Sequence, residues 1–237
     1  MSGPSFRIGF WAAVTQSVVS LVYIIGLIIL VTVALSHQSP SQLVDQRWAD
    51  ITTYAQHYAD DQLSLKIGLV IQVSALTAGI IIPVVFLALH ETTCAEKKIL
   101  TRIASAFTIM MAVTSSWGYY IQLVSVHQTI IAAGDLDGLG QFVEANISSS
   151  GMATLQLAWA IFYGIATLVV APVFDSTRSD KWIGVAFFLN GVIGITVGIA
   201  YAFGATSLLP LAILGLVVAS IAYPLLALRF HRLGKVV

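Results

Sequence analysis

Charge is scarce in this chain, and its placement says more than its amount. Only 9% of the 237 residues are Asp, Glu, Lys or Arg, against roughly a quarter in an ordinary soluble domain. Six apolar stretches, about residues 9–35, 67–89, 103–126, 152–174, 182–203 and 207–228, carry no acid, base or histidine in their interiors. Proton relays, voltage sensors and ion-coupled carriers place such groups at membrane depth. A retinal protein needs a lysine within a span, and a membrane haem needs histidines there. Intramembrane proteases and metalloenzymes need a nucleophile–base pair or ligating carboxylates. Ser115 and Ser116 have no base near them in sequence. We therefore expect no enzyme, no catalytic residue and no cofactor.

Thiols are nearly absent too. Cys94 is the single cysteine, which excludes an intramolecular disulfide, a dithiol redox centre and a four-cysteine metal site. His37, His57 and His127 lie near acids, yet no two share an i, i+4 ligand spacing. Asp135, Asp137 and Glu144 miss the spacing of a calcium-binding loop. No metal site is expected. The net charge is zero, and no basic stripe with interleaved aromatics exists, so nucleic acid is not an expected partner.

What remains is hydrophobic: 58% of the residues. Each stretch exceeds the ~20 residues a helix needs to cross a hydrocarbon core of about 30 Å. Without water there, backbone groups must pair internally, and helices of this length do so. The expectation is an all-α polytopic membrane protein, a six-transmembrane-helix bundle forming one membrane domain over residues 1–237. The first span is too long for a signal-peptide core and is expected to serve as an uncleaved signal anchor. Neither a myristoylation nor a prenylation motif is present.

Basic residues set the orientation. Arg7, Lys97, Lys98, Arg102, Arg178, Lys181, Arg229, Arg232 and Lys235 fall on one side, and of the 11 only Arg47 and Lys66 fall on the other. The positive-inside rule makes the first side cytoplasmic, with both termini there. Localisation in a bacterial inner membrane or a plasma membrane follows.

The outside connections are longer. Within residues 36–63, Ser39-Pro40 reads as a helix start. Val44, Trp48, Ile51, Tyr54 or Ala55, and Tyr58 then recur at helical spacing. That pattern predicts an extracytoplasmic amphipathic helix capping the bundle. The third stretch is expected to continue as helix to about Ala133, with a short amphipathic turn at Leu139, Phe142 and Val143. Asn146-Ile147-Ser148 is a glycosylation sequon.

Inside the spans, amides, hydroxyls and glycines replace charge in ordered rows. Thr101, Thr108, Ser115, Gln122 and Thr129 recur every seven residues and so share one helical face. Gln16, Ser20 and Tyr23 mark the first span, Gln72 and Gly79 the second, and Gln156, Tyr163, Gly164 and Thr167 the fourth. Topology puts Gln72, Gln122 and Gln156 in the outer half of the bilayer. Candidate ligand-binding residues are Gln72, Ser115, Tyr119, Gln122, Gln156, Tyr163 and Asn190. Gly184, Gly191, Gly194 and Gly198 form a small-residue groove assigned to helix packing. Pro83, Pro172 and Pro224 are expected to kink their helices.

Two function classes survive. One is a protein that binds or passes a neutral or amphipathic small molecule through a polar, charge-free vestibule. The other is a non-catalytic accessory or structural membrane subunit, or a homo-oligomer, whose rows are packing seams. Partners are then the lipid bilayer, with a lipid-like ligand in the first case and other membrane subunits or a second copy in the second.

Overall fold

A computed structural model describes residues 4–37, 62–131, 138–143 and 149–235. Every regular element among them is helical. Six helices are long and apolar enough to cross a membrane: Pro4–Leu30, Lys66–Thr92, Ala95–Thr129, Ser150–Val173, Arg178–Ala202 and Leu211–Lys235, here the first to sixth spans. The capping helix expected within 36–63, and Asp135, Asp137, Glu144 and Asn146, lie outside the described residues.

Local chemistry explains where the helices begin and end. Thr177 Oγ1 accepts from the Asp180 N–H at 3.1 Å while Asp180 Oδ2 accepts from the Thr177 N–H at 3.2 Å. This reciprocal capping box starts the fifth span. Ser149 caps the fourth, accepting from the Met152 N–H at 3.0 Å and donating to the Val143 carbonyl at 2.7 Å. The loop before it is a short 3-10 turn, Leu139–Gln141, that buries Leu139 and Val143 and leaves Phe142 exposed. The fifth span closes at Gly204, whose φ of 75° suits a residue without a Cβ. Pro83 and Pro224 do sit inside long helices. Pro172 differs from expectation: it lies in a 3-10 turn, Ala171–Val173, that ends the fourth span rather than bending it.

Each span packs on its sequence neighbours, and the sixth returns to pack on the first, closing a ring. The first and sixth run antiparallel: a Cβ on Gly9 would meet the Phe230 ring at 2.8 Å, and one on Gly234 would lie 3.4 Å from Phe6. Both terminal segments therefore share one end of the bundle. Lys97 reaches Asp175 at 2.5 Å and the Pro172 carbonyl at 3.1 Å, tying the second–third turn to the fourth–fifth turn. All nine residues of the basic set belong to this end, whereas Lys66 opens the second span at the far one.

The core lies towards the terminal end. Phe86, Phe187, Tyr223 and Phe230 are each at most 1% exposed. Phe187 touches Phe86, Phe174 and Tyr223 with ring centroids 5.8–6.2 Å apart. These rings pack together inside the ring of helices. The far half holds a smaller cluster of Ala75, Tyr119 and Leu155, with Tyr23, Leu76 and Trp159 against it. Outside, Trp11, Ile25, Val113, Trp117, Tyr120, Trp182 and Phe188 are exposed, an exterior suited to hydrocarbon.

Candidate functional site

The third and fourth spans depart from α geometry in the half remote from the termini. The third runs as α-helix over Lys98–Ile121, opens into a π-helical segment at Gln122–Val126 and resumes at His127–Ile131. The fourth runs as α-helix over Ser150–Gln156, opens at Leu157–Phe162 and resumes at Tyr163–Val170. A π segment widens the helix by one residue and frees backbone groups, and such segments are frequent at functional sites.

Glycine contacts give the register that brings them together. A Cβ on Gly79 would meet Ser115 Oγ at 2.7 Å, so the second and third spans pass closely there. With antiparallel helices, seven residues further from that crossing Gln72 stands level with Gln122, just beyond the Ala75–Tyr119 contact. A Cβ on Gly118 would meet Leu155 at 3.0 Å, which sets Tyr119 beside the fourth span. Gly151 approaches the Phe142 carbonyl closely enough that no side chain fits between them.

The candidate residues divide into two groups. Gln72, Tyr119 and Gln122 belong to the far half and are at most 7% exposed. Gln72 and Tyr119 each already have an interaction of their own. Gln122 is 2% exposed, and its Oε1 has no hydrogen-bond partner among the described residues. Ser115 is fully buried near mid-span and turns to its own helix, donating to the Ala112 carbonyl at 3.4 Å. Gln156 does likewise, its Nε2 reaching Met152 Sδ at 3.6 Å.

The second group binds spans together. The Tyr163 and Tyr223 hydroxyls meet at 2.5 Å. Asn190 Nδ2 donates to Thr167 Oγ1 at 3.0 Å, linking the fifth span to the fourth. The glycine groove is filled by the same neighbour: a Cβ on Gly191 would meet Leu168 at 2.7 Å, one on Gly194 the Ala160 carbonyl at 2.9 Å and one on Gly198 Ile161 at 2.5 Å. A Cβ on Gly184 would stand 3.0 Å from the Ala171 carbonyl.

Trp159, which no spacing argument singled out, joins the two groups. Its ring lies edge-on to Tyr163 at 5.9 Å and packs against the Tyr119 cluster. Its Nε1 is buried without a partner among the described residues. Gln16, marked in the polar row of the first span but not among the candidates, is alike: Nε2 donates to Ser20 at 3.1 Å, while Oε1 is buried without a partner among the described residues. A signal existed in both cases, since an indole N–H or an amide within a span must find a partner or pay for lacking one.

At the terminal end lies a separate polar knot. Arg229 Nε pairs with Asp180 Oδ1 at 3.2 Å, and its guanidinium stands 5.4 Å from the Phe174 ring centroid. Among the described residues no group of three or more His, Cys, Asp and Glu is placed to hold a metal ion. Comparison with protein-family models, with curated proteins and with solved structures finds no match to this chain.

Proposed function

We propose that this chain is a multi-pass membrane protein that binds a neutral or amphipathic small molecule in the half of the bundle remote from its termini, between the second, third and fourth spans. One observation carries the reading. Two π-helical segments open on neighbouring spans in that half, and each contains a buried polar atom without a partner among the described residues, Gln122 Oε1 and Trp159 Nε1. A buried, unsatisfied polar atom costs about 1–3 kcal/mol, and two beside two opened helices suit a site that a ligand completes. Binding is favoured over passage because Phe86, Phe187 and Tyr223 fill the other half. With no carboxylate, amine, imidazole or thiol at that depth, the site is proposed to hold its ligand without transforming it. The test is mass spectrometry of small molecules extracted from the purified chain. Wild type carries a molecule that Gln122→Leu and Trp159→Phe lose; equal content in all three sinks the proposal.

The nine-base end is proposed to face the cytoplasm. Cys94 is exposed in the second–third turn and is the chain's only thiol. A membrane-impermeant maleimide is expected to leave it unlabelled in intact cells and to label it in inverted vesicles. The reverse pattern overturns the orientation.

The accessory-subunit reading draws on a different feature, the outward row Val113, Trp117 and Tyr120 on the third span. If that row seats a partner, Trp117→Ala releases a co-purifying membrane protein and leaves the extracted small molecules unchanged.

A further inference from the structure

The unpartnered atoms also define the head group. Resting on the binding reading above, we infer that the ligand is a lipid-like alcohol whose hydroxyl donates to Gln122 Oε1 and accepts from Trp159 Nε1. Gln122 Oε1 only accepts and Trp159 Nε1 only donates. A group that satisfies both must do the reverse of each. An ester or ketone only accepts and leaves Gln122 unsatisfied. An ammonium or a carboxylate brings charge to a depth where the spans offer no counter-charge, at a desolvation cost of several kcal/mol. A hydroxyl does both and is neutral.

Direction supports convergence of the two atoms. Helical side chains lean towards the N-terminus of their own helix. The third and fourth spans are antiparallel, so Gln122 leans back towards the level of Tyr119 and Trp159 leans towards that of Leu155. Trp159 does pack against the cluster that Tyr119 and Leu155 share. The tail then meets Ala75, Leu76 and Leu155, an apolar lining with small residues.

Quenching of tryptophan fluorescence in the detergent-purified full chain tests this. The probes are a long-chain alcohol brominated in its tail, the matching methyl ester of the acid, and the acid itself. The alcohol is expected to quench saturably at about five- to tenfold lower concentration than the other two, the worth of one hydrogen bond. Trp159→Phe removes the saturable component, and Gln122→Leu brings alcohol and ester to equal potency. If ester or acid quenches wild type as strongly as the alcohol, the alcohol assignment falls and the binding site stands. If no probe quenches saturably, the inference and the site fall together. Should Gln122→Leu not fold, the wild-type ranking of the three probes decides.

Discussion

The Tyr163 and Tyr223 hydroxyls meet at 2.5 Å and bond the fourth span directly to the sixth. The fifth span, which packs on both, runs between them in sequence. Both tyrosines are at most 5% exposed, so the bond draws three spans into one unit at mid-depth. Tyr163→Phe or Tyr223→Phe leaves the other hydroxyl buried and unpaired, at about 1–3 kcal/mol. The double variant removes both and recovers part of that loss. Equilibrium unfolding of the single and double variants checks the cycle; additive losses would show that the hydroxyls do not act as a pair.

Gly191 is where the fourth and fifth spans come closest to backbone contact. A Cβ there would lie 2.8 Å from both the Gly164 carbonyl and the Leu168 amide nitrogen. Backbone cannot swing aside as a side chain does, so Gly191→Ala must part the helices. We expect a loss of about 1–3 kcal/mol. Gly204→Ala, with open space around it but a φ of 75°, should cost about 1–2 kcal/mol through backbone strain alone. The difference in kind shows in Asn190. Gly191→Ala should weaken the Asn190–Thr167 bond one residue away, seen as faster side-chain amide hydrogen exchange, and Gly204→Ala should leave it unchanged.

Arg229 and Asp180 form a mostly buried ion pair, their side chains 17% and 9% exposed. Arg229→Met strands the Asp180 carboxylate with the Thr177 N–H as its remaining hydrogen-bond partner among the described residues. Removing one partner of a buried pair costs 3–5 kcal/mol, and partial exposure lowers the expectation to about 2–4 kcal/mol. Adding Asp180→Asn removes the stranded charge and should recover more than half of the loss. Unfolding midpoints of the two variants decide it; a double variant no more stable than Arg229→Met refutes the account.

Asp175 links stability to pH at the same end. Its hydrogen bond from Lys97, and then the Lys97 charge, hold the carboxyl below the usual aspartate value. A group whose folded pKa is depressed contributes stability above its unfolded value, near 3.9, and loses that contribution as pH falls through the folded value. The tie between the two turns should therefore persist at neutral pH and release only below about pH 4. A carboxyl NMR titration should place the Asp175 midpoint below that of a free aspartate, and Lys97→Gln should return it upwards.

Much of this was readable in the sequence, for a physical reason. Twenty or more apolar residues in a row have one stable fate in a bilayer, so six spans and their rough limits followed from composition. Counting basic residues also gathered nine of them at one end, because short turns cannot carry a charge across. Helical periodicity likewise put Gln122 and Ser115 on a buried face, since both are at most 2% exposed. Periodicity ends at the single helix. It names a face and not the neighbour that face meets, so Gln156 seemed equivalent to Gln122 yet bonds its own helix. Tyr163 and Asn190, grouped with the glutamines by polarity, instead pair with Tyr223 and Thr167. Trp159 belonged to none of the polar rows that spacing picked out. Only the closing of six helices into a ring, with two of them opened into π turns, decided which polar atoms are matched among the described residues and which are not. Partner choice depends on interhelical register to within one turn, and register is set by packing between segments far apart in the chain.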